Sequence, residues 1–318
     1  MQMPYDKLFP VLRTEPEIEV LINPFVTAYV NGAMEQLEGQ IASAKITLAR
    51  LSSPQLYYVL TENEFTLDIN NPTAPKLVCM GNNPQKQQVY GAVLSLFVTR
   101  MFKLVNRKDQ LKSSLIFDEF PTIYIGGASG IESTIATARG NRVATTLAVQ
   151  DISQLRKDYG KEIADVIFNI VGNIISGQVL GDTAKTLSDR FGRIMQDRES
   201  YSINSSETSV SKSTQLEAAI PASTISSLSS GEFVGSVADD PDQKIELKNF
   251  HAEIINDHAA LKAEMDGYKP IPKIREITQS EIDSNYIRIK EEVLALIESE
   301  MERIYDTPEL SHLLIARE

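Results

Sequence analysis

Residues 113–123 read Ser-Ser-Leu-Ile-Phe-Asp-Glu-Phe-Pro-Thr-Ile. The run SLIF has buried-strand character and stops at two adjacent carboxylates, Asp118 and Glu119. A rigid strand end of this kind can deliver one carboxylate to the hydration shell of Mg²⁺ and a second to orient or deprotonate an attacking water. On that reading Asp118 serves the metal and Glu119 the water. An Asp-Glu pair also ends strands on ordinary protein surfaces, so the segment alone supports both readings.

The flanking sequence decides more. Residues 136–151, ATARGNRVATTLAVQD, place Arg139 before a predicted strand VATTLAV and Gln150 at its carboxyl end. In open α/β sheets the carboxyl ends of strands line the ligand crevice. A glutamine there can sense a γ-phosphate through its amide, and an arginine just upstream can reach a phosphate on a neighbouring subunit. Arg142 competes with Arg139 for that role. The plainer alternatives are a helix-start glutamine and a solvated helix-end arginine.

Working outward, apolar spacing predicts a long helix from about Gln85 to Val105, helices near Glu132–Arg139, Ile152–Tyr159 and Ile163–Phe168, and a strand in NIISGQV. YYVL, FTLDI and KLVCM read as strands, the last buried on both faces and carrying the single cysteine, Cys79, as a buried inert thiol. Alternating strands and helices imply a mostly parallel sheet covered on both faces. Residues 16–51 read as helix in pieces, interrupted by Pro24 and Gly32. Ser200–Ser230 holds twelve serines, which predicts a mobile surface excursion. GEFVGSV and KIELKNF follow as a hairpin, and residues 280–304 as a last helix with Ser280 as its N-cap.

A hydrophobic content of 42% with 23% charge belongs to globular protein, and one cysteine excludes a disulfide framework and fits a reducing compartment. The net charge of -12 argues against a surface coated by nucleic acid, so DNA contacts must be local. No apolar run approaches the roughly 20 residues of a membrane span, and the amino terminus lacks signal-peptide features. His251, His258 and His312 have no metal-ligand companions, and IGGASG at 125–130 reads as a flexible loop.

SLIFDEF, then ARGNR, LAVQDISQLRKDYG, FNIVGNIISGQV and DTAKTLSDRFG together resemble the type IV secretion coupling proteins, the TraG/TraD-like ATPases of conjugation. The resemblance covers residues 45–250, and the glutamine-to-YG run is its most specific part. It implies a RecA-like P-loop fold, ATP and Mg²⁺ as cofactors, and a membrane-anchored homo-hexamer on the cytoplasmic side of the bacterial inner membrane. The hexamer would pass relaxase-bound single-stranded DNA to type IV secretion channel proteins. It makes Asp118 and Glu119 the Walker B pair, Gln150 the family's motif glutamine, and Arg139 a candidate finger acting in trans.

One departure matters. No G-x-x-x-x-G-K-[ST] occurs; the nearest candidate, GNNPQKQQ at 81–88, lacks the second glycine, so the amides and lysine that hold β- and γ-phosphates are missing. The expectation is a truncated RecA-like fold, inactive by itself, with a helical insertion segment at 1–50, the Walker B half at 51–250 and a C-terminal extension at 251–318. Another hexameric motor, such as a chromosome-partitioning pump or virion-assembly ATPase, or a non-catalytic interaction fragment, are the alternatives.

Overall fold

The computed structural model describes residues 3–49, 51–126, 130–203, 208–239 and 242–315. The chain divides into two compact units, one formed by Met1–Thr66 with Ile271–Glu318, the other by Leu67–Pro270. This partition differs from the one expected from sequence, because the last segment closes onto the first instead of standing as a separate extension.

The first unit is helical: α1 (Tyr5–Leu12), α2 (Pro16–Val30), α3 (Met34–Ala49) and α4 (Pro54–Thr61) from the amino end, and a 28-residue helix (Gln279–Asp306) from the carboxyl end. Gly32, at φ 68°, provides the left-handed turn that ends α2. YYVL, expected as a strand, lies in α4, whose N-cap Ser53 side chain accepts from the Leu56 amide. Proline at the first helical position and a serine cap outweigh the local β preference. Ile297, Met301 and Ile304 of the long helix pack with Leu8 and Val11 of α1, and Tyr286 meets Tyr57 of α4 edge-on at 4.9 Å. Its cap is Thr278, not Ser280: the Thr278 hydroxyl accepts from the Glu281 amide, and the Glu281 carboxylate returns to the Thr278 amide at 2.7 Å.

The second unit holds, in chain order, α5 (Gln87–Val105), β1 (Ser113–Phe117), α6 (Ile131–Ala138), β2 (Val143–Leu147), α7 (Ile152–Tyr159), α8 (Lys161–Ile170), β3 (Ile174–Ser176), α9 (Gly181–Phe191), β4 (Arg193–Ile203), β5 (Thr208–Ala218), α10 (Ala222–Ser226), β6 (Glu232–Ser236), β7 (Asn249–Glu253) and α11 (His258–Asp266); the long terminal helix is α12. β1 and β2 pair in parallel from Ser113 against Val143 to Phe117 against Leu147. Leu115, Phe117 and Val143 face inward onto Val98, Met101, Phe102 and Val105 of α5, and onto α6 and α8. Asn70 sets the connection: its side-chain amide donates to Val105 O at 3.0 Å and Leu111 O at 3.3 Å, ending α5 and aiming the chain into β1.

The fold is α/β, and its parallel part among the described residues is the β1–β2 pair. β3 joins β6 and β7 in a separate antiparallel sheet, over a core of Leu187, Phe191, Ile225 and Val234. KLVCM, expected as a strand, forms none and pairs with no strand among the described residues. Val78 packs on the core while Leu77 is 93% exposed and Cys79 is exposed, so the buried-thiol expectation is corrected. FTLDI forms no strand either, although Leu67 and Ile69 pack on the same core. Much of the serine-rich stretch is strand. Eleven residues of β4 pair with eleven of β5, and Ile225 and Leu228 beyond them are buried. Serine bias reads as disorder by composition, but its alternation with β-branched and apolar residues satisfies a hairpin. Residues 204–207 at its tip, and 127–129 of the predicted IGGASG loop, lie outside the described residues.

Ile304 is fully buried where α12 closes the helical unit. Ile304→Ala is expected to cost that unit about 2–5 kcal/mol, the range for truncating a buried isoleucine. Denaturant titration with amide exchange read at α1 and α12 checks this; a loss below about 1 kcal/mol would show that α12 is not part of the core.

Candidate functional site

Ala148 organises the carboxyl end of the parallel pair. Its amide donates to Phe117 O at 2.8 Å, and its carbonyl accepts from the Phe120 amide at 2.9 Å. The two residues between those anchors are Asp118 and Glu119, so both are held beside the segment that leads to Gln150. Glu119 has φ 48° and ψ 45°, a left-handed conformation costing a non-glycine residue roughly 1–2 kcal/mol. The Asp118 carboxylate accepts from the Glu119 amide at 3.0 Å, which fixes the turn locally. Asp118, Glu119 and Gln150 are all exposed at this end.

Arg139 is elsewhere. It lies in the turn Arg139–Asn141 that precedes β2, so it sits at the amino end of the strand. The five residues of β2, at about 3.3 Å rise, put roughly 13 Å between the two ends of the strand, with Arg139 before one and Gln150 beyond the other. Arg139 thus precedes β2, as its place in the sequence implies, and lies at the end of the strand opposite the carboxylate pair. In a parallel pair, the turn feeding β2 and the exit from β1 are at opposite ends. Arg142, with φ 58°, ends the same turn and is also exposed.

Two further residues shape the site and were not singled out from sequence. Asp151 caps α7, its carboxylate accepting from the Ser153 amide at 2.7 Å and from the Ser153 hydroxyl, and its other oxygen accepts from Thr183 of α9 at 2.9 Å. Partial burial pushes the Asp151 pKa up, but the bonds from Ser153 and Thr183 and the charge of Arg156 outweigh it and hold the group below 3.8. At the other end of α7, Tyr159 donates to Ile123 O and accepts from the Ile125 amide at 3.0 Å. Its ring stacks on Phe120 with centroids 5.0 Å apart. Burial pushes the phenol well up, and the negative neighbours Glu132 and Asp158 add to the rise. The cap was legible in the D-x-S spacing of 151–153; the contact of Tyr159 with a loop more than thirty residues upstream was not.

The donor set suits Mg²⁺, which takes one or two carboxylates and completes its shell with water and phosphate oxygens. Among the described residues no group of three or more His, Cys, Asp or Glu side chains could hold a metal. A cavity of about 410 Å³ lies at the base of the β4–β5 hairpin, lined by Ser188, Arg193, Leu216 and Pro221 among others, and shares no lining residue with the carboxylate pair. No helix among the described residues is long and apolar enough to cross a membrane.

Because the folded pKa of Asp151 is depressed, its contribution to stability is present above about pH 3.8 and is lost as pH falls through the folded value. Asp151→Ala is expected to cost about 0.5–2 kcal/mol near neutrality, as for loss of a helix cap. The difference from wild type should shrink below pH 4. Urea titrations at several pH values check this, and a gap that stays constant down to pH 3 contradicts it.

Among curated proteins no relative matches the chain. Solved structures of the plasmid coupling protein TrwB do resemble it. The complex of TrwB with the non-hydrolysable GTP analogue GDPNP aligns with a TM-score of 0.52 at 13% identity, covering 69% of this chain and 49% of that one. The complex of TrwB with ADP and Mg²⁺ gives 0.51 at 14% identity with the same coverage. The chain thus spans about half the length of these structures, and the likeness shows the fold, a RecA-like α/β fold present in part. Residues 16–220 match the family described as Type IV secretory system Conjugative DNA transfer. With the match extending over most of its length, the chain belongs to this conjugative DNA-transfer family.

Proposed function

We propose that the chain is the Walker B half of a hexameric coupling ATPase that delivers relaxase-bound single-stranded DNA to a type IV secretion channel. The observation that carries the proposal is the placing of Asp118 and Glu119 beside the Gln150 segment through the two Ala148 hydrogen bonds. Family membership and the TrwB complexes with ADP and Mg²⁺ and with GDPNP support it. Bound MgATP supplies the phosphoryl group. Asp118 holds the metal through its hydration shell, Glu119 orients and deprotonates the attacking water, and Gln150 reads the γ-phosphate. Arg139, remote from its own carboxylates, serves the site of a neighbouring subunit.

The sheet is unfinished in a way that fits this reading. Parallel sheets are covered on both faces, yet Ile116 of β1 is 74% exposed, and KLVCM, apolar as a buried strand would be, pairs with no strand among the described residues. A further polypeptide segment, bearing the phosphate-binding loop on strands added to this sheet, completes the site.

The chain alone is expected neither to bind ATP tightly nor to hydrolyse it, as measured by calorimetry and phosphate release. Turnover by the chain alone, abolished by Glu119→Gln, would show that it needs no added loop. In a version extended through a phosphate-binding loop, Glu119→Gln should retain and trap nucleotide while Asp118→Ala loses Mg²⁺-dependent binding. Equal loss of binding in both variants refutes the division of roles and, with it, the Walker B assignment.

In that extended protein Arg139→Ala should leave nucleotide affinity within about twofold and lower turnover by about 10³–10⁵, the range for a trans-acting arginine. Mixing it with Glu119→Gln subunits should restore part of the activity, because the second variant supplies the arginine to intact carboxylate sites. If mixed hexamers form and stay inactive, or if Arg142→Ala is the variant that loses turnover, Arg139 is a solvated turn residue only.

A further inference from the structure

We propose that Tyr159 is a positioning residue for Glu119, and that α7 joins the Glu119 loop to the strand end bearing Gln150 as one rigid body. The proposal rests on the ATPase reading for its catalytic consequence, but its geometry stands independently. Both ends of this eight-residue helix engage the site. Its first turn is capped by Asp151, adjacent to Gln150, and that carboxylate is also tied to α9 through Thr183. Its last residue, Tyr159, is 5% exposed and spends its hydroxyl on two backbone groups of the segment that returns from Glu119, Ile123 O and Ile125 N.

Those contacts do work that the turn needs. Glu119 sits in a disfavoured left-handed conformation, which persists only where its surroundings fix it. On the amino side the Phe117–Ala148 bond fixes it, and on the carboxyl side the Phe120–Ala148 bond does. The Phe120 ring is fully buried between Phe117 and Tyr159. The Tyr159 hydroxyl then locks the next turn, so the Glu119 backbone cannot relax without breaking a buried bond. A displacement at Gln150 would move α7 through Asp151 and be delivered at Tyr159 to the loop that holds Glu119. The carboxylate that orients water would thereby follow the residue that reads phosphate.

Tyr159→Phe keeps the ring stack and removes only the hydroxyl. In the chain itself, exchange of the Ile125 amide, which donates to that hydroxyl, is expected to accelerate about tenfold, the effect of losing one buried hydrogen bond, while α9 keeps its protection. In the version extended through a phosphate-binding loop, kcat should fall about tenfold or more with KM for ATP within about twofold, since only an arrangement used in the transition state is lost. The double variant with Glu119→Gln should be no slower than Glu119→Gln alone. An unchanged kcat, a loss confined to KM, or an additive loss in the double variant overturns the positioning role. If the extended wild-type protein does not hydrolyse nucleotide, the ATPase reading fails; the Ile125 amide then decides the geometric claim, and unchanged exchange there overturns it.

Discussion

The carboxyl end of the parallel pair depends on one backbone residue. Ala148 donates to Phe117 and accepts from Phe120, so a single residue closes the ladder and folds the chain back over it. Without the second bond, Phe120 would lose the register that buries its ring, and the stacking with Tyr159 would go with it. Without the first, β1 would end one residue early and the two carboxylates would leave the β2 exit. The strained Glu119 is the cost of this arrangement, and the aromatic packing around Phe120 offsets it. A left-handed non-glycine residue between two hydrogen-bonded anchors beside paired carboxylates is the kind of local conflict expected at functional sites.

How much of this the sequence disclosed depends on whether the determining interaction was local. The strand SLIF, the helices of residues 87–105, 131–138 and 152–170, and the exit of Gln150 from β2 followed from spacing within a few residues. YYVL failed because Ser53 and Pro54 form a helix start that β propensity does not register. KLVCM has the composition of a buried strand and part of its behaviour, with Val78 inward and Leu77 outward, but a ladder needs a second strand. Sequence reports what a segment prefers, and pairing depends on what is beside it. The join of α12 to α1 and α4 spans nearly the whole chain, and no short-range pattern encodes such a contact.

The candidate site divides in the same way. Asp118 and Glu119 were legible because carboxylates at a strand end are a local pattern. Arg139 was legible as the residue before β2, and chain order alone puts it at the strand's amino end, away from Gln150. Tyr159 was visible only as one letter of a family pattern. Its role depends on a contact with Ile123 and Ile125, a relation that needs the fold before it can be seen.

Electrostatics adds a constraint on how such a site could operate. The segments that meet at the carboxyl end, residues 117–120 and 147–151, contain three carboxylates and neither lysine nor arginine. Arg156, on the following helix, is held by Asp165 at 2.8 Å, and Arg139 and Arg142 are at the opposite end of the strands. A polyphosphate approaching this end meets like charge, which costs free energy unless a cation intervenes. A carboxylate pair without Mg²⁺ would therefore repel a nucleotide, and neither segment offers a lysine or arginine to the oxygens that a bound Mg²⁺ would leave free. Backbone amides and a lysine from a phosphate-binding loop would supply those donors within the subunit, and an arginine from a neighbour would neutralise the charge that develops on the transferred group. The acidity of the strand end and the distance of Arg139 from it thus point the same way: catalysis of the proposed kind would require groups brought to Asp118 and Glu119 from outside this set of residues.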